Sequence, residues 1–291
     1  MIESVTDMLL DPLFVKGVIA GGAVLVLGIV VAGTRSDEGV LRSGGVMVAA
    51  AATIVLSQSG MLGLSQVVGI TLLAIAGLLH TSAAIGPVLA IPGAFFVIRP
   101  DAADPQSWLL WFAMVALILA APLVASFDGR YRESGLPLPL FGIAALGVFL
   151  TVPDTEGAMV LLGVAGVAGF LGWPRPFATL GGAGSYAAVG VYVLVAAQGA
   201  AGRPPSIMAS VAVLGLLLLV PVAVRLRSTG WAHQLDSIDA LFPLIAQLLL
   251  VLLISRTAGR VPGVEVAAGL TLALLAVAAA IMLRRPSHLP D

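Results

Sequence analysis

The chain is a succession of apolar runs, each close to the roughly 20 residues a helix needs to span a hydrocarbon core of about 30 Å. Short polar connections separate them. Few folds accept such spacing. Charged residues make up only 10% of the chain and hydrophobic ones 59%, where a soluble domain would carry about 25% charged residues. Mean hydropathy is +1.10. That much apolar surface exceeds what a soluble core can bury, so lipid is the expected solvent. In lipid only helices or closed barrels satisfy their backbone groups. A barrel would alternate polar and apolar residues over strands of about 10 residues. Val211–Val220 and Leu248–Leu253 do not alternate, so an all-α polytopic integral membrane protein is expected, with a Gly-rich, close-packed bundle.

Eleven spans are predicted, over about 13–33, 40–58, 61–80, 83–98, 107–126, 136–152, 156–172, 178–198, 206–226, 237–255 and 262–283. They form a single transmembrane domain, 13–283, between a short acidic segment, 1–12, and a short basic tail, 284–291. Lys16, Arg99, Arg203, Arg256 and Arg260 then share one side of the membrane. Arg35, Arg42, Arg130, Arg132, Arg175, Arg225, Arg227, Arg284 and Arg285 share the other. The more basic side should be cytoplasmic, which puts the N-terminus outside and the C-terminus inside, with the plasma membrane as the default location. The acidic start (Glu3, Asp7, Asp11) has no basic stretch of the kind a cleaved signal peptide carries.

Segment 83–98 is the weak span. It is short, and it holds Pro87 and Pro92, residues that interrupt helices. A broken or re-entrant segment is tolerated where it is buried or lines a cavity. If it does not cross, ten spans remain. Its status also decides the symmetry of an internal duplication. Lys16-Gly17-Val18 aligns with Glu156-Gly157-Ala158, Gly44-Gly45 falls near Gly181-Gly182, and Gln58 on Gln198. The halves would be 13–126 and 156–283, joined by helix 136–152. Six spans between the copies make the repeats parallel, and five make them inverted.

Candidate functional residues are sparse. Gly163, Gly166, Gly169 and Gly172 recur every third residue and predict a smooth helix-packing stripe. Lys16 and Glu265 each lie about one turn inside a span. Lys16 suits snorkelling to the headgroups, and Glu265 reads as a helix-start acid or a pathway residue. Gln58 and Gln66 flank a turn containing glycine, Gln247 lies deep in its span, and Tyr186 and Tyr192 share a helix. With Pro87, Pro92 and Glu265, the three glutamines are the candidates for a solute pathway. The competing reading is hydrogen bonding between helices. Pro153-Asp154-Thr155-Glu156 has the chemistry of a helix start.

There is no cysteine, no metal-ligand spacing among His80, His233 and His288, no nucleotide-binding loop and no acid–base set. No enzyme activity, metal, cofactor or nucleic-acid partner is expected. In length and span count the chain resembles the drug/metabolite transporter superfamily, which has ten spans in two halves. The resemblance covers layout only, matches no motif, and departs from the pattern if eleven spans are present. The expected function is a small secondary transporter or permease for a neutral or weakly polar solute. The alternative is a non-catalytic scaffold or assembly subunit that binds lipids, other membrane proteins or further copies of itself.

Overall fold

The computed structural model describes residues 5–34, 44–79, 85–98, 115, 117–118, 121, 137–152, 154–171, 181–199 and 237–257. All regular structure among them is helical. The helices are α1 (Val5–Leu10), α2 (Pro12–Thr34), α3 (Gly44–Gln58), α4 (Leu64–Leu78), α5 (Ile85–Val97), α6 (Pro137–Thr151), α7 (Glu156–Gly166), α8 (Gly181–Gly199) and α9 (Ser237–Thr257). α7 runs on into a π-helical turn, Val167–Leu171. Among the described residues one stretch, Pro12–Val30, is both long and apolar enough to cross a membrane. The shorter apolar helices include Gly44–Gln58, Leu64–Leu78 and Pro139–Thr151. At 1.5 Å per residue, a 15-residue helix such as α3 is about 22 Å long.

Local chemistry fixes the helix ends. Asp11 caps α2: its Oδ1 accepts from Leu13 N at 2.8 Å, and Pro12 takes the first helical position, where a missing N–H costs nothing. α3 stops at a glycine in the left-handed region, Gly60 with φ 75°. Gly60 N donates to the Ser57 carbonyl and Met61 N to the Leu56 carbonyl, the reversal that glycine-ended helices use. At the start of α7, Asp154 Oδ1 accepts from Glu156 N, the plain helix start that the sequence suggested.

The described helices bury an apolar core of Val, Leu, Ile and Ala and also carry many large apolar side chains on their outer faces. α2 turns Gly17, Gly21, Val24 and Gly28 inward. Ile19, Val26 and Val30 point outward. On α9, Gln247 is 0% exposed while Leu249 is 62% exposed. α8 is buried nearly all round, from Ala183 to Ala196, and packs against α3, α4 and α7.

Close backbone approaches give the helix directions. A Cβ on Gly17 would stand 2.7 Å from the Val160 carbonyl oxygen, and one on Gly21 would stand 2.7 Å from that of Val164. A step of four along α2 is thus a step of four along α7, and the two helices are parallel. Gly184 abuts Gly45, and Gln198 at the far end of α8 reaches Met61, so α8 and α3 are also parallel. Gly77 abuts Gly182 and Gly190 abuts Leu73, which makes α4 antiparallel to α8. Gly69 meets Gly93 and Val97, while Ser65 and Gln66 face Phe96–Ile98, so α5 runs back along α4. Gly157 meets Val195, Gly199 meets Asp154 and Gly142 meets Ala165, so α7 opposes both α8 and α6. In sum α2, α4 and α7 point one way and α3, α5, α6 and α8 the other. The two hairpins α2–α3 and α7–α8, about 140 residues apart as the repeat alignment had it, lie side by side with like helices in contact.

Two features of the sequence can be placed in the structure. Over the described part of segment 83–98 the helix is unbroken: α5 is continuous from Ile85 to Val97 with Pro92 inside it. Pro87 falls in the first turn, where its nitrogen has no intrahelical partner to lose. Pro92 is exposed, so its ring does not disturb the contact with α4. The glycine stripe is not one α-helical face either. The π turn begins at Val167, and Gly169 lies within it, out of register with Gly163. Gly163 is a true contact residue, whose Cβ would be 2.7 Å from Val18 N. A Cβ on Gly166 would meet nothing. Gly172 lies outside the described residues.

Candidate functional site: a recess at one end of the bundle

The alternating directions bring the C-terminal ends of α3, α5 and α8 to the same end of the bundle as the N-terminal ends of α4 and α7. There α4, α5 and α8 leave an open recess of about 280 Å³, lined by Ser65, Gln66, Phe96, Val97, Ile98, Leu194, Ala197 and Gln198. Among the described residues no charged side chain lines it. Its walls are apolar and its polar groups are two amides and a hydroxyl.

Each amide is anchored at one end. Gln66 Oε1 accepts from Gly63 N at 2.8 Å, so the residue caps its own helix. Gln198 Nε2 donates to the Met61 carbonyl at 3.1 Å and ties α8 to the turn between α3 and α4. Below the recess the core closes. Tyr192 donates its hydroxyl to the Phe141 carbonyl on α6, and the two rings meet edge-to-face at 5.1 Å. Tyr186 and Tyr192 are both buried, so the tyrosines belong to the core rather than to a cavity.

The predicted pathway residues separate. Gln66 lines the recess. Gln58 is exposed at the end of α3 and Pro92 on the outside of α5. Pro87 lies in the first turn of α5. Gln247 sits elsewhere, between α9 and α6, where its Nε2 approaches the Leu140 carbonyl at 3.4 Å. Its buried Oε1 has no partner. Glu265 lies outside the described residues. Gln58, Gln66 and Gln247 therefore do not converge. Three hydroxyls within the helices are bonded to their own backbone. Thr53, Thr71 and Ser185 each donate to the carbonyl four residues back in their own helix, a local bond open to hydroxyls within helices.

Sequence reasoning missed Gln198 as a site residue. The repeat alignment, which laid Gln58 on Gln198, carried the signal. Phe96, Ile98 and Leu194 had no distinguishing mark among so many apolar residues. Among the described residues no group of His, Cys, Asp and Glu could hold a metal ion. No protein-family model matches the sequence, and neither does any curated protein.

Proposed function

We propose that the chain is a membrane protein of eleven crossings that acts as a permease for a small neutral solute, with the recess between α4, α5 and α8 as its solute site. The membrane reading is supported by the apolar outer faces: Ile19, Val26, Val30, Leu249 and Leu253 are exposed, while Gly17, Gly21 and Gln247 are buried. In water such a surface would drive association. In lipid it costs nothing, and small inward residues are what let helices pack closely there.

The span count rests on the parallel contact of α2 and α7. If every predicted segment crosses, α7 is the seventh span and must run parallel to the first. If 83–98 did not cross, α7 would be the sixth and would run antiparallel. α5, running the length of α4, fits the first scheme. By the distribution of Lys and Arg the recess would then face outward, the N-terminus would be outside and the C-terminus cytoplasmic, in the plasma membrane.

The permease reading rests on the recess, with its uncharged polar groups on an apolar wall, the usual composition of a small-molecule site. The runner-up is a scaffold subunit. It is favoured by Gln247, whose amide is spent in a helix contact away from the recess, and by the self-bonded hydroxyls.

The absence of cysteine makes topology a clean test. Single cysteines at Ser57, Ser36 and Ser134 would be probed in intact cells with an impermeant maleimide. Ser57→Cys should label, and Ser36→Cys and Ser134→Cys should stay protected until the cells are opened. Labelling of Ser36→Cys from outside would overturn the eleven-crossing scheme. Uptake by proteoliposomes then separates the functions. Flux of small neutral solutes no faster than through protein-free vesicles would remove the permease and leave the scaffold.

A further inference from the structure

The hydrogen-bonding sense of the recess follows from the backbone groups beside it. Gly63 N–H needs an acceptor, so Gln66 must present Oε1 to it, at 2.8 Å. The group of Gln66 left over is its NH₂. The Met61 carbonyl needs a donor, so Gln198 must present Nε2 to it, at 3.1 Å, and the group left over is its carbonyl oxygen. Flipping either amide would set donor against donor or acceptor against acceptor. The recess therefore offers one amide donor from α4 and one amide acceptor from α8, with the Ser65 hydroxyl beside Gln66 able to serve as either. Phe96, Val97, Ile98 and Leu194 supply apolar walls, and among the described residues no lining side chain carries a charge. The volume of about 280 Å³ exceeds by several-fold the roughly 30 Å³ share of one water, enough for a small organic molecule.

We propose that the recess takes a small uncharged solute carrying a carbonyl acceptor and an N–H donor on one planar group: a primary carboxamide or a urea. The solute carbonyl accepts from Gln66 Nε2, and its N–H donates to Gln198 Oε1. The proposal rests on the reading of this recess as a solute site, and names the class of molecule it selects. A site that hydrogen-bonds a donor discriminates against an analogue lacking it, because its acceptor is left without a partner.

The test is binding to the full chain in lipid nanodiscs, read by saturation-transfer NMR, with acetamide and N,N-dimethylacetamide as probes. Both have the carbonyl, and only acetamide has the N–H. Acetamide should bind at least fivefold more tightly. Gln198→Leu should remove that preference. Gln198→Lys, which keeps a donor for the Met61 carbonyl but lacks the acceptor, should remove it too, so that loss of the anchor is not mistaken for loss of the site. Equal binding of the two probes, no acetamide binding, or an unchanged preference in both variants would overturn the proposal. The permease reading stands or falls separately, on uptake. Flux without amide selectivity removes the solute class and spares the permease, whereas selective binding without flux does the reverse.

Discussion

Adjacent glycines on α2 should respond oppositely to the same substitution. A Cβ on Gly21 would lie 2.7 Å from the Val164 carbonyl oxygen, 3.0 Å from that of Gly163 and 3.1 Å from Val164 Cα. All three are backbone atoms and cannot rotate away, so Gly21→Ala has to move α2 and α7 apart by roughly half an ångström, the kind of overpacking that costs about 1–3 kcal/mol. A Cβ on Gly22 would meet nothing within 4 Å. Both substitutions gain the same helix propensity, up to about 1 kcal/mol, so the difference between them isolates the steric cost. Gly22→Ala should be neutral or stabilising. Gly21→Ala should sit about 1–3 kcal/mol below it, roughly a 5- to 150-fold difference in the unfolding equilibrium. The measurement is reversible unfolding from mixed micelles by titration with a denaturing detergent, followed by tryptophan fluorescence. Equal stabilities of the two variants, or a more stable Gly21→Ala, would refute the parallel α2–α7 contact and with it the direction argument for eleven crossings.

The same unfolding assay checks two buried polar contacts. Tyr192→Phe keeps the edge-to-face ring contact but loses the hydroxyl bond to the Phe141 carbonyl, and should cost about 0.6 kcal/mol, with about 1.7 kcal/mol as the ceiling. A loss near zero would mean that bond is not made. Gln247→Leu gives up a long bond to the Leu140 carbonyl but also removes an amide oxygen without a partner. Deleting a buried acceptor that is already unsatisfied is close to neutral, so stability should change by less than about 1 kcal/mol, and a drop of several kcal/mol would point to a partner for Oε1.

How much of this was legible depended on whether a residue's role is local. The helical class follows from run length, and the Asp154 bond to Glu156 N at the start of α7 follows from the order Asp-Thr-Glu. Gly17 and Gly21 stand four apart, which puts them on one helix face from spacing alone. Which glycines of 163–172 make contacts was not legible, because the π turn after Gly166 shifts the register and the partners, such as Gly142 on α6, are set by tertiary packing. Pro92 misled for a related reason. Proline weakens a helix locally, but α5 has α4 along its opposite side through Gly93 and Gly69, and that packing outweighs one missing N–H. The recess itself joins residues near 65, 97 and 198. Only the repeat offset linked any two of these regions beforehand, and it pointed to Gln58 rather than Gln66.

The contact between α2 and α7 has a further consequence in time. Gly17 and Gly163, which face each other across it, are separated by most of the first half of the chain. At about 5–20 residues per second, a ribosome takes roughly 7–30 s to make α7 after α2. Throughout that interval the glycine groove of the first helix has no mate. It must be covered by lipid, by its own hairpin partner α3 or by the insertion machinery, and a nascent chain arrested before residue 163 should expose that groove to crosslinking.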